Sequence, residues 1–400
     1  MNKRPGPRPL DGVRVLELAQ IMSGPTTGMM LADLGADVIK VEKLGGDDSR
    51  GYREPRVNGV SAPFMVLNRN KRGIALDLKN PKGRAVLLRL VRSADVLTEN
   101  FRRDTLAKLG LGYDVLAAAN PALIYCAITG YGHTGPLGGR GGFDLIAQGF
   151  AGLMSITGEP GGQPTKVGPP VSDINAGILA ALGVLAAYIE RLKTGRGQKV
   201  ETSLMEAALQ QTYWHAAVYF ATGVSPGPLG SGHVLSAPYQ AFRTADGYVN
   251  IGGANQANWE RIATVLGHPE WCEDQRFASN TERMANLPAL VAAIEGVLAE
   301  ASTEHWVQAF HAAGVPVGPV HTLAEALEHP QVAAREMVVE TVHRDAGPTR
   351  SLGFPVHLSE TPARVTRPAP ALGEHTREVL LEAGFGEDEI AQLLAEGVIA

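Results

Sequence analysis

A strand–turn–helix–strand pattern near the N-terminus most constrains how this chain can fold. Residues 13–19 alternate in the manner of a strand, and residues 37–42 form a second strand-like run. Between them, a Ser-Gly-Pro sequence at 23–25 opens a helix predicted over residues 26–34. This order predicts a βαβ unit, and a parallel sheet follows because parallel strands need a crossover connection.

The strand pattern continues along the first part of the chain, at residues 74–78, 95–100 and 123–128. A G-x-G-x-x-G sequence does not follow the first strand, so we expect no nucleotide redox cofactor. We therefore predict an α/β protein with a Rossmann-like, parallel-sheet large domain and a smaller α+β domain. Residues 204–221 are predicted as one helix, and residues 344–371 as an irregular linker.

Changes in composition predict three parts of the chain. Residues 1–225 form the large α/β domain, and residues 230–340 form the small α+β domain with a hairpin at its Asp246-Gly247 turn. Residues 341–400 contain a proline-rich linker and two helices. We expect this tail to pack back on the large domain, because its apolar side chains need to be buried.

Composition also narrows the class of protein. The 400 residues carry a net charge of −5 without a basic block, so we expect no nucleic-acid partner. Neither of the two cysteines, Cys126 and Cys272, lies in a metal-binding pattern, which favours a reducing cytoplasm and no metal. The N-terminus lacks a signal peptide's apolar run, and the longest apolar run, residues 178–189, is too short to cross a membrane. We therefore expect a cytoplasmic protein with no membrane partner.

An acidic residue at the start of a long apolar helix is the candidate for chemistry. The helix is predicted over residues 174–193, and Asp173 would be its N-cap, accepting hydrogen bonds from the first free backbone N–H groups. A carboxylate can also attack an activated acyl carbon, and N–H groups at a helix start can stabilise an oxyanion. The local pattern is compatible with both roles.

Eight short blocks along the chain carry a family resemblance when they are taken in order. They are residues 9–17 (PLDGVRVLE), 24–25 (GP), 34–42 (LGADVIKVE), 70–72 (NKR), 99–101 (ENF), 152–158 (GLMSITG), 193–198 (KTGRGQ) and 372–376 (LGEHT). Each block alone is weak, but their order across nearly the whole chain is specific. The sequence resembles the family III CoA-transferases of the CaiB/BaiF type, which share a fold with the α-methylacyl-CoA racemases.

The resemblance implies an enzyme that moves coenzyme A from an acyl-CoA thioester to a free carboxylic acid. The family's nucleophilic aspartate falls on Asp173, which would form a mixed anhydride and then an aspartyl-CoA thioester without a metal. The family also implies a homodimer of two interlinked, ring-shaped chains. The basic residue Arg140 near the acyl end favours a dicarboxylate, such as succinate, as the transferred acid.

The family's CoA-binding positions map onto several loops of this chain. They are Met22, Ser23, Lys43, Leu76, Leu78, Lys79, Asn100, Phe101, Arg102, Lys108, Arg140 and Phe143. The phosphates of CoA suit the basic members of this set, which without the resemblance would be interpreted as ordinary surface side chains. Family members often have glutamine where this chain has Met22, which removes a polar contact near the acyl group.

Two other functions stay open. Racemases of this fold move an α-proton with an aspartate and a histidine, and the histidine belongs to a Gly-His-Asp segment. Here Phe143 occupies the histidine position and cannot exchange a proton, so we expect acyl exchange without proton exchange. His133 is ten residues away, and its substitution for the missing base is not favoured. The remaining alternative is a non-catalytic CoA-binding protein.

Overall fold

The computed structural model describes residues 6–400, and we number its strands and helices in chain order. The strands are β1 Arg14–Glu17, β2 Asp37–Glu42, β3 Arg56–Val57, β4 Val60–Ser61, β5 Arg72–Ala75, β6 Val96–Glu99, β7 Ile124–Thr129, β8 Lys199–Ser203, β9 Tyr239–Arg243, β10 Tyr248–Gly252, β11 Val317–Pro319, β12 Val338–His343 and β13 Gly347–Leu352.

Helices connect most of these strands. They are α1 Ser23–Asp33, α2 Ala62–Asn68, α3 Pro81–Val91, α4 Thr105–Lys108, α5 Tyr113–Ala119, α6 Asp144–Phe150, α7 Leu153–Ile156, α8 Val171–Thr194, α9 Leu204–Gln210, α10 Tyr213–Thr222, α11 Gln256–Val265, α12 Asn280–Ala285, α13 Leu287–Leu298, α14 Thr303–Ala312, α15 Leu323–Glu328, α16 Pro330–Ala334, α17 Thr376–Glu382 and α18 Glu387–Ala395. Short 3₁₀ helices occur at Asp48–Gly51 and Pro269–Cys272.

A six-stranded parallel sheet forms the centre of the first part of the fold. Its strand order is β5-β2-β1-β6-β7-β8, and each neighbouring pair is parallel. Every residue of β6 and β7 is buried, as expected for strands that are covered on both faces by helices. The predicted α/β class with a large parallel sheet is confirmed. The carboxyl ends of β1, β6 and β7 meet at one edge, where α/β proteins bind their ligands.

The chain forms two compact units. The first contains residues 6–151, 167–211 and 330–400, and the second contains residues 152–166 and 212–329. The second unit holds a three-stranded antiparallel sheet of order β11-β10-β9, with the predicted hairpin between β9 and β10. Its core is built around Trp259, Phe242 and Phe310, which are fully buried. The sequence-based division at 225 and 340 stays a prediction, and the units themselves follow different boundaries.

The C-terminal tail covers β5, which is the edge strand of the large sheet. The backbone of Gly73 exchanges hydrogen bonds with His375, and the Ala75 N–H donates to Thr376 Oγ1 at 3.2 Å. The Ala400 N–H in turn donates to the Ala75 carbonyl. Arg72, at the start of β5, binds two glutamates of α17 through its guanidinium. These bonds satisfy backbone groups that an open edge would expose.

One helix, α8, is long and apolar enough by length and composition to cross a membrane, which alone is weak evidence. In this structure Ala176, Ala180 and Val184 of α8 are fully buried. The Thr27 hydroxyl of α1 donates to the Gly177 carbonyl of α8 at 3.0 Å. One side of α8 is therefore packed in the interior of the first unit, as in the core helix of a globular domain.

Three local predictions are corrected by the structure. The predicted helix over residues 204–221 is two helices, because the Gln211 N–H bonds three residues back to Ala208 and closes α9. The predicted linker contains β13, which pairs with β12 through a turn whose N–H groups donate to His343 Nδ1. Finally, β5 begins at Arg72, before the predicted 74–78, since neighbouring carboxylates neutralise the charge of Arg72.

Candidate active site

Helix α8 begins earlier than predicted, and this changes the local role of Asp173. Pro170 is its N-cap residue, so Asp173 lies in the first turn, and the prediction that Asp173 caps the helix is wrong. The cap is supplied from outside, because Asp144 Oδ1 accepts a hydrogen bond from the Ser172 N–H at 2.9 Å. Gln148 fixes the other oxygen of Asp144 at 2.8 Å. The Asp173 carboxylate is therefore not used to cap the helix.

The Asp173 carboxylate is partly buried and lacks a stabilising partner. Within residues 6–400, neither a hydrogen-bond donor nor a cation holds it. Burial, followed by the negative charge of Asp144, raises the pKa of Asp173 from its ordinary value of 3.8 to about 7. A desolvated carboxylate without partners is a better nucleophile than a solvated one, provided that it is ionised.

The loop between β1 and α1 forms a second wall of the site. Ile21 in this loop has a φ of 68°, which is a rare left-handed conformation for a β-branched residue. Asn100 holds the residue before it, since its side chain accepts from the Gln20 N–H at 2.9 Å and donates to the Gln20 carbonyl at 2.8 Å. The same Asn100 amide donates to Ser23 Oγ at 3.2 Å.

Helices α1 and α8 approach each other closely at their N-terminal ends. Gly177 makes this possible, because a Cβ there would lie 2.6 Å from the Ser23 carbonyl oxygen. In the described part of the chain, the N–H groups of Ser23, Gly24 and Asp173 donate to no protein acceptor. Two helix starts with free donors therefore lie side by side, which is a favourable place for developing negative charge.

A cavity of about 450 Å³ connects these elements. Asp173 lines it together with seven of the positions that the resemblance assigns to CoA binding. Those positions are Met22, Ser23, Asn100, Phe101, Arg102, Arg140 and Phe143. The loops that carry them follow β1, β6 and β7, so the parallel sheet brings together segments that are far apart in the sequence.

A second, narrower cavity of about 170 Å³ lies at the ends of β1, β2 and β5. Four other predicted CoA-binding positions line it, namely Lys43, Leu76, Leu78 and Lys79. Phe101 lines both cavities, so the two are neighbours. An apolar cleft with lysines at its rim suits an adenine ring and the phosphates attached to it.

Two of the predicted CoA-binding residues, Lys108 and Asn100, are placed differently from the others. Lys108 is exposed on α4 and lines neither of these two cavities. Both ends of the Asn100 amide are used by the β1–α1 loop, so Asn100 supports the wall of the cavity from within the protein. The assignment of both residues to CoA binding stays a prediction.

His133 does not reach the cavity that Asp173 lines. Its ring Nδ1 lies 2.7 Å from Glu201 Oε2, and its backbone N–H donates to the other Glu201 oxygen. Lys199 joins the same cluster at 2.9 Å from Glu201. Burial alone would raise the pKa of Glu201, but hydrogen bonds from Lys199 and His133 lower this pKa to about 2. His133 is therefore held in a separate polar cluster beside β8.

The structure contains a buried ionic network beneath the β1–α1 loop, which the sequence analysis did not predict. Lys40 and Glu17 are fully buried and lie 3.1 Å apart, and Lys71 pairs with Glu17 at 2.8 Å. Asp47 completes the network at 2.8 Å from Lys40. The available signal was a lysine in the middle of an apolar strand, because a buried charge of this kind requires partners.

Across residues 6–400, no three His, Cys, Asp or Glu side chains are arranged to hold a metal ion.

The chain is similar to known proteins over nearly its whole length. Residues 10–376 match the family model described as CoA-transferase family III. The chain is 40% identical over 388 residues to the succinate–glutarate CoA-transferase of Agrobacterium fabrum, covering 95% of this chain and 96% of that protein. It is 37% identical to the succinyl-CoA:glutarate CoA-transferase of Mus musculus, covering 98% and 90% of the two chains.

A solved structure supports the same relationship. The crystal structure of a CaiB/BaiF family protein from Brucella suis superposes with a TM-score of 0.84 at 38% identity. The match covers 94% of this chain and all of that one. The predicted family and the predicted CoA-transferase activity are confirmed. This chain belongs to CoA-transferase family III.

Proposed function

We propose that this protein transfers CoA from a dicarboxylyl-CoA, such as succinyl-CoA, to a second dicarboxylic acid through a covalent intermediate on Asp173. The observation that carries the proposal is the partnerless carboxylate of Asp173 in a cavity between two helix starts. A carboxylate used only for structure would be expected to have a hydrogen-bond partner when it is partly buried.

The reaction proceeds by exchange of acyl bonds. An Asp173 oxygen attacks the thioester carbonyl carbon, the carbon–sulfur bond breaks, and CoA leaves as a thiolate with a mixed anhydride on the enzyme. The thiolate then attacks the aspartyl carbonyl carbon and releases the donor acid. The acceptor carboxylate attacks the aspartyl carbonyl carbon of the resulting thioester, the carbon–sulfur bond breaks, and CoA leaves again as a thiolate with a mixed anhydride on the enzyme. Attack of this thiolate on the acceptor's acyl carbon gives the new acyl-CoA and releases the Asp173 carboxylate.

Each tetrahedral intermediate places negative charge on a carbonyl oxygen. The free N–H groups of Ser23 and Gly24 at the start of α1 are suitable donors for this oxyanion. Because these are backbone groups at the start of a packed helix, they need little reorganisation when the charge develops. The role of Met22 is then steric, since its thioether is a weak acceptor and donates no hydrogen bond.

The two cavities divide the CoA molecule between them. The narrower cavity, with Lys43 and Lys79 at its rim, takes the adenosine and phosphate end. The larger cavity, with Phe101 between the two, takes the pantetheine arm and the acyl group next to Asp173. This direction places the phosphates beside lysines and the thioester beside the nucleophile.

Specificity for dicarboxylates follows from the cations of the larger cavity. Arg102 and Arg140 both line it, and neither is paired with a carboxylate within the described residues. A free guanidinium binds a carboxylate in a bidentate manner, so one of them can hold the distal carboxylate of the acyl group. The dicarboxylates in the names of the Agrobacterium and mouse relatives support this choice.

The racemase alternative lacks a second proton acceptor. Phe143 lines the cavity where the base would be needed, and His133 is engaged with Glu201 outside it. The non-catalytic alternative does not explain why a carboxylate with a raised pKa lies in the cavity. Acyl transfer needs a nucleophile and oxyanion donors, which Asp173 and the N–H groups at the start of α1 can supply.

A homodimer is part of the proposal. Ile178, Leu182, Ile189 and Leu192 form an exposed apolar stripe on α8, and Leu182 is 62% exposed in the single chain. Their spacings of four, seven and three residues place them on one side of the helix. An apolar stripe on a central helix indicates that another chain covers it, and a second copy in the interlinked arrangement is the partner we propose.

The central test is detection of the covalent intermediate. Wild-type protein is incubated with succinyl-CoA, quenched with hydroxylamine or borohydride, digested and mapped by mass spectrometry. We expect modification at Asp173, with CoA transfer to glutarate in a parallel assay. The Asp173→Asn variant keeps the side-chain volume and should show neither. An unmodified Asp173 peptide together with turnover by Asp173→Asn would refute the proposal.

A further inference from the structure

The left-handed residue in the β1–α1 loop has an unusual support. Both carboxylate oxygens of Asp47 lie 3.2 Å from the Ile21 backbone nitrogen. Asp47 is almost completely buried, and it reaches the loop from the segment that follows β2. A β-branched residue does not adopt a positive φ without help, so this hydrogen bond acts where the backbone is least favourable.

Asp47 itself is held in place by three neighbours. Lys40 Nζ lies 2.8 Å from one of its oxygens, and the Ser49 hydroxyl and N–H donate to the other at 2.8 and 2.9 Å. The Asp47 N–H donates to Glu42 at 2.9 Å. A side chain that is fixed on all sides can transmit its position to the group that it holds.

The rest of the ionic network contacts the same loop on both sides of Ile21. Lys40 Nζ donates to the Ala19 carbonyl at 2.9 Å, and Lys71 Nζ donates to the Pro25 carbonyl at 2.9 Å. The three contacts of the network with the backbone of the loop and of the first turn of α1 therefore bracket Ser23, where α1 begins. Charges are expensive to bury, and here their donors and acceptors are directed at one active-site loop.

We propose that Asp47 is a positioning residue for catalysis, which holds Ile21 in its left-handed conformation and so fixes the start of α1 against the cavity. This inference rests on the proposed function, because the free N–H groups of Ser23 and Gly24 are the suggested oxyanion donors. Without the Asp47 carboxylate, Ile21 relaxes toward negative φ, and the residues that follow it move. Asp47 lines the narrower cavity but not the one that contains Asp173, so the adduct rate is compared at saturating acyl-CoA.

The test is a double-mutant cycle with a conformational rescue. Asp47→Ala removes the acceptor, and Ile21→Gly removes the cost of the left-handed conformation, because glycine adopts positive φ readily. We expect Asp47→Ala to slow formation of the Asp173 adduct about 10- to 100-fold, as expected when a strained conformation is released. Because Ile21 lines the cavity, the Ile21→Gly protein serves as the reference for its own background. Asp47→Ala in that background should slow adduct formation at least about tenfold less than Asp47→Ala does in the wild type.

A matched control separates positioning from general damage. Ser49→Ala removes one hydrogen bond to Asp47 but leaves the acceptor for Ile21, so the adduct rate should stay close to wild type. If Asp47→Ala does not fold, Asp47→Leu, which branches at the same carbon as aspartate but offers no acceptor to the Ile21 N–H, takes its place in the cycle. A merely structural role predicts that Ile21→Gly gives no rescue, and that result would overturn the proposal, as would an unchanged rate in a folded Asp47 variant.

Hydrogen exchange of the loop keeps the two proposals distinguishable. The Met22 and Thr26 amides, which donate to the Gln20 and Met22 carbonyls, should exchange faster in the Asp47 variant and return toward the wild-type rate in the double variant. This readout does not need an adduct. If wild-type protein forms no adduct but the exchange pattern holds, the nucleophile assignment fails and the positioning of the loop stands. If exchange is unchanged, positioning by Asp47 fails whatever the chemistry.

Discussion

Asp144 caps helix α8 by accepting a hydrogen bond from the Ser172 N–H, and this places a negative charge one residue from Asp173. The cap stabilises the helix start, while its charge adds to burial in raising the pKa of Asp173 to about 7. One carboxylate thus positions the helix that carries another and also disfavours the ionisation of its neighbour.

The pH dependence of turnover should report this relationship. Asp173 must be ionised to attack, so kcat/KM is expected to rise with pH to a plateau, with a midpoint near 7. Asp144→Asn keeps a good capping side chain but removes the charge, so the midpoint should fall by roughly one unit or less. Initial rates between pH 5 and 9 measure it, and a midpoint that is the same in both proteins contradicts the assignment.

Replacing the nucleophile should stabilise the protein at alkaline pH. The folded-state pKa of Asp173 is raised, so its contribution is most favourable below pH 3.8 and is lost as the pH rises through about 7. Asp173→Asn avoids this loss. We expect the variant to be more stable than wild type by about 2–4 kcal/mol at pH 8, less any interaction with the helix dipole.

Urea unfolding at pH 4.5 and pH 8 measures this effect. The difference in free energy of unfolding between the two proteins should be small at the lower pH and large at the higher one. Ser172→Ala, at the preceding residue, serves as a control that leaves the titrating group in place. A constant difference at both pH values would show that Asp173 is not destabilised by its charge.

Arg140 should distinguish dicarboxylates from monocarboxylates. Removing a charged hydrogen bond to the distal carboxylate with Arg140→Gln is expected to lower kcat/KM for succinyl-CoA about 10- to 100-fold. Activity with a monocarboxylyl-CoA of the same chain length should change little. Arg103→Gln is the matched control, because Arg103 lines the same cavity but already faces Asp104 at 3.6 Å. Equal losses with both classes of donor would exclude this role.

The exposed stripe on α8 should govern the oligomeric state. Leu182→Glu places a charge in the stripe and is expected to prevent dimer formation, which light scattering at micromolar concentration measures. Thr194→Glu adds the same charge on a different side of α8 and should leave the dimer intact. A wild-type protein that is a folded monomer under these conditions would refute the proposed dimer.

Proton exchange should be absent during transfer. A 2-methylacyl-CoA incubated in D₂O is expected to keep its α-hydrogen on the timescale of turnover, because Phe143 offers no base on the second face. Mass spectrometry of the recovered thioester measures deuterium uptake. Incorporation at a rate comparable to catalysis would favour the racemase reaction.

Much of the architecture could be predicted from local patterns. The strand at residues 37–42 was predicted with the bounds that β2 has, since it is a short run with Val and Ile at its centre that follows the helix of a βαβ unit. The start of α8 was misplaced because Asp173 is a good cap by residue type. The actual cap, Asp144, comes from another helix, and local sequence contains no information on that contact.

The cavity could be anticipated only through family resemblance. The loops that line the cavity follow three different strands, and composition does not show which loops meet at the sheet edge. The ionic network beneath the β1–α1 loop was not predicted, for a related reason. Asp47 looks like a surface charge in the sequence. Lys40 in its strand indicates a buried charge, but neither sequence position shows that the two side chains contact the loop backbone.

The pairing of the C-terminal tail with β5 bears on how the protein is synthesised. Strand β5 emerges from the ribosome early, but the residues that cover its edge, at 375 and at 398–400, are translated after nearly all the rest of the chain. Contacts so distant in sequence form slowly because a long loop must close first. Throughout elongation, the nascent large sheet therefore exposes an open strand edge, which makes the unfinished chain a natural client for chaperones that bind extended segments.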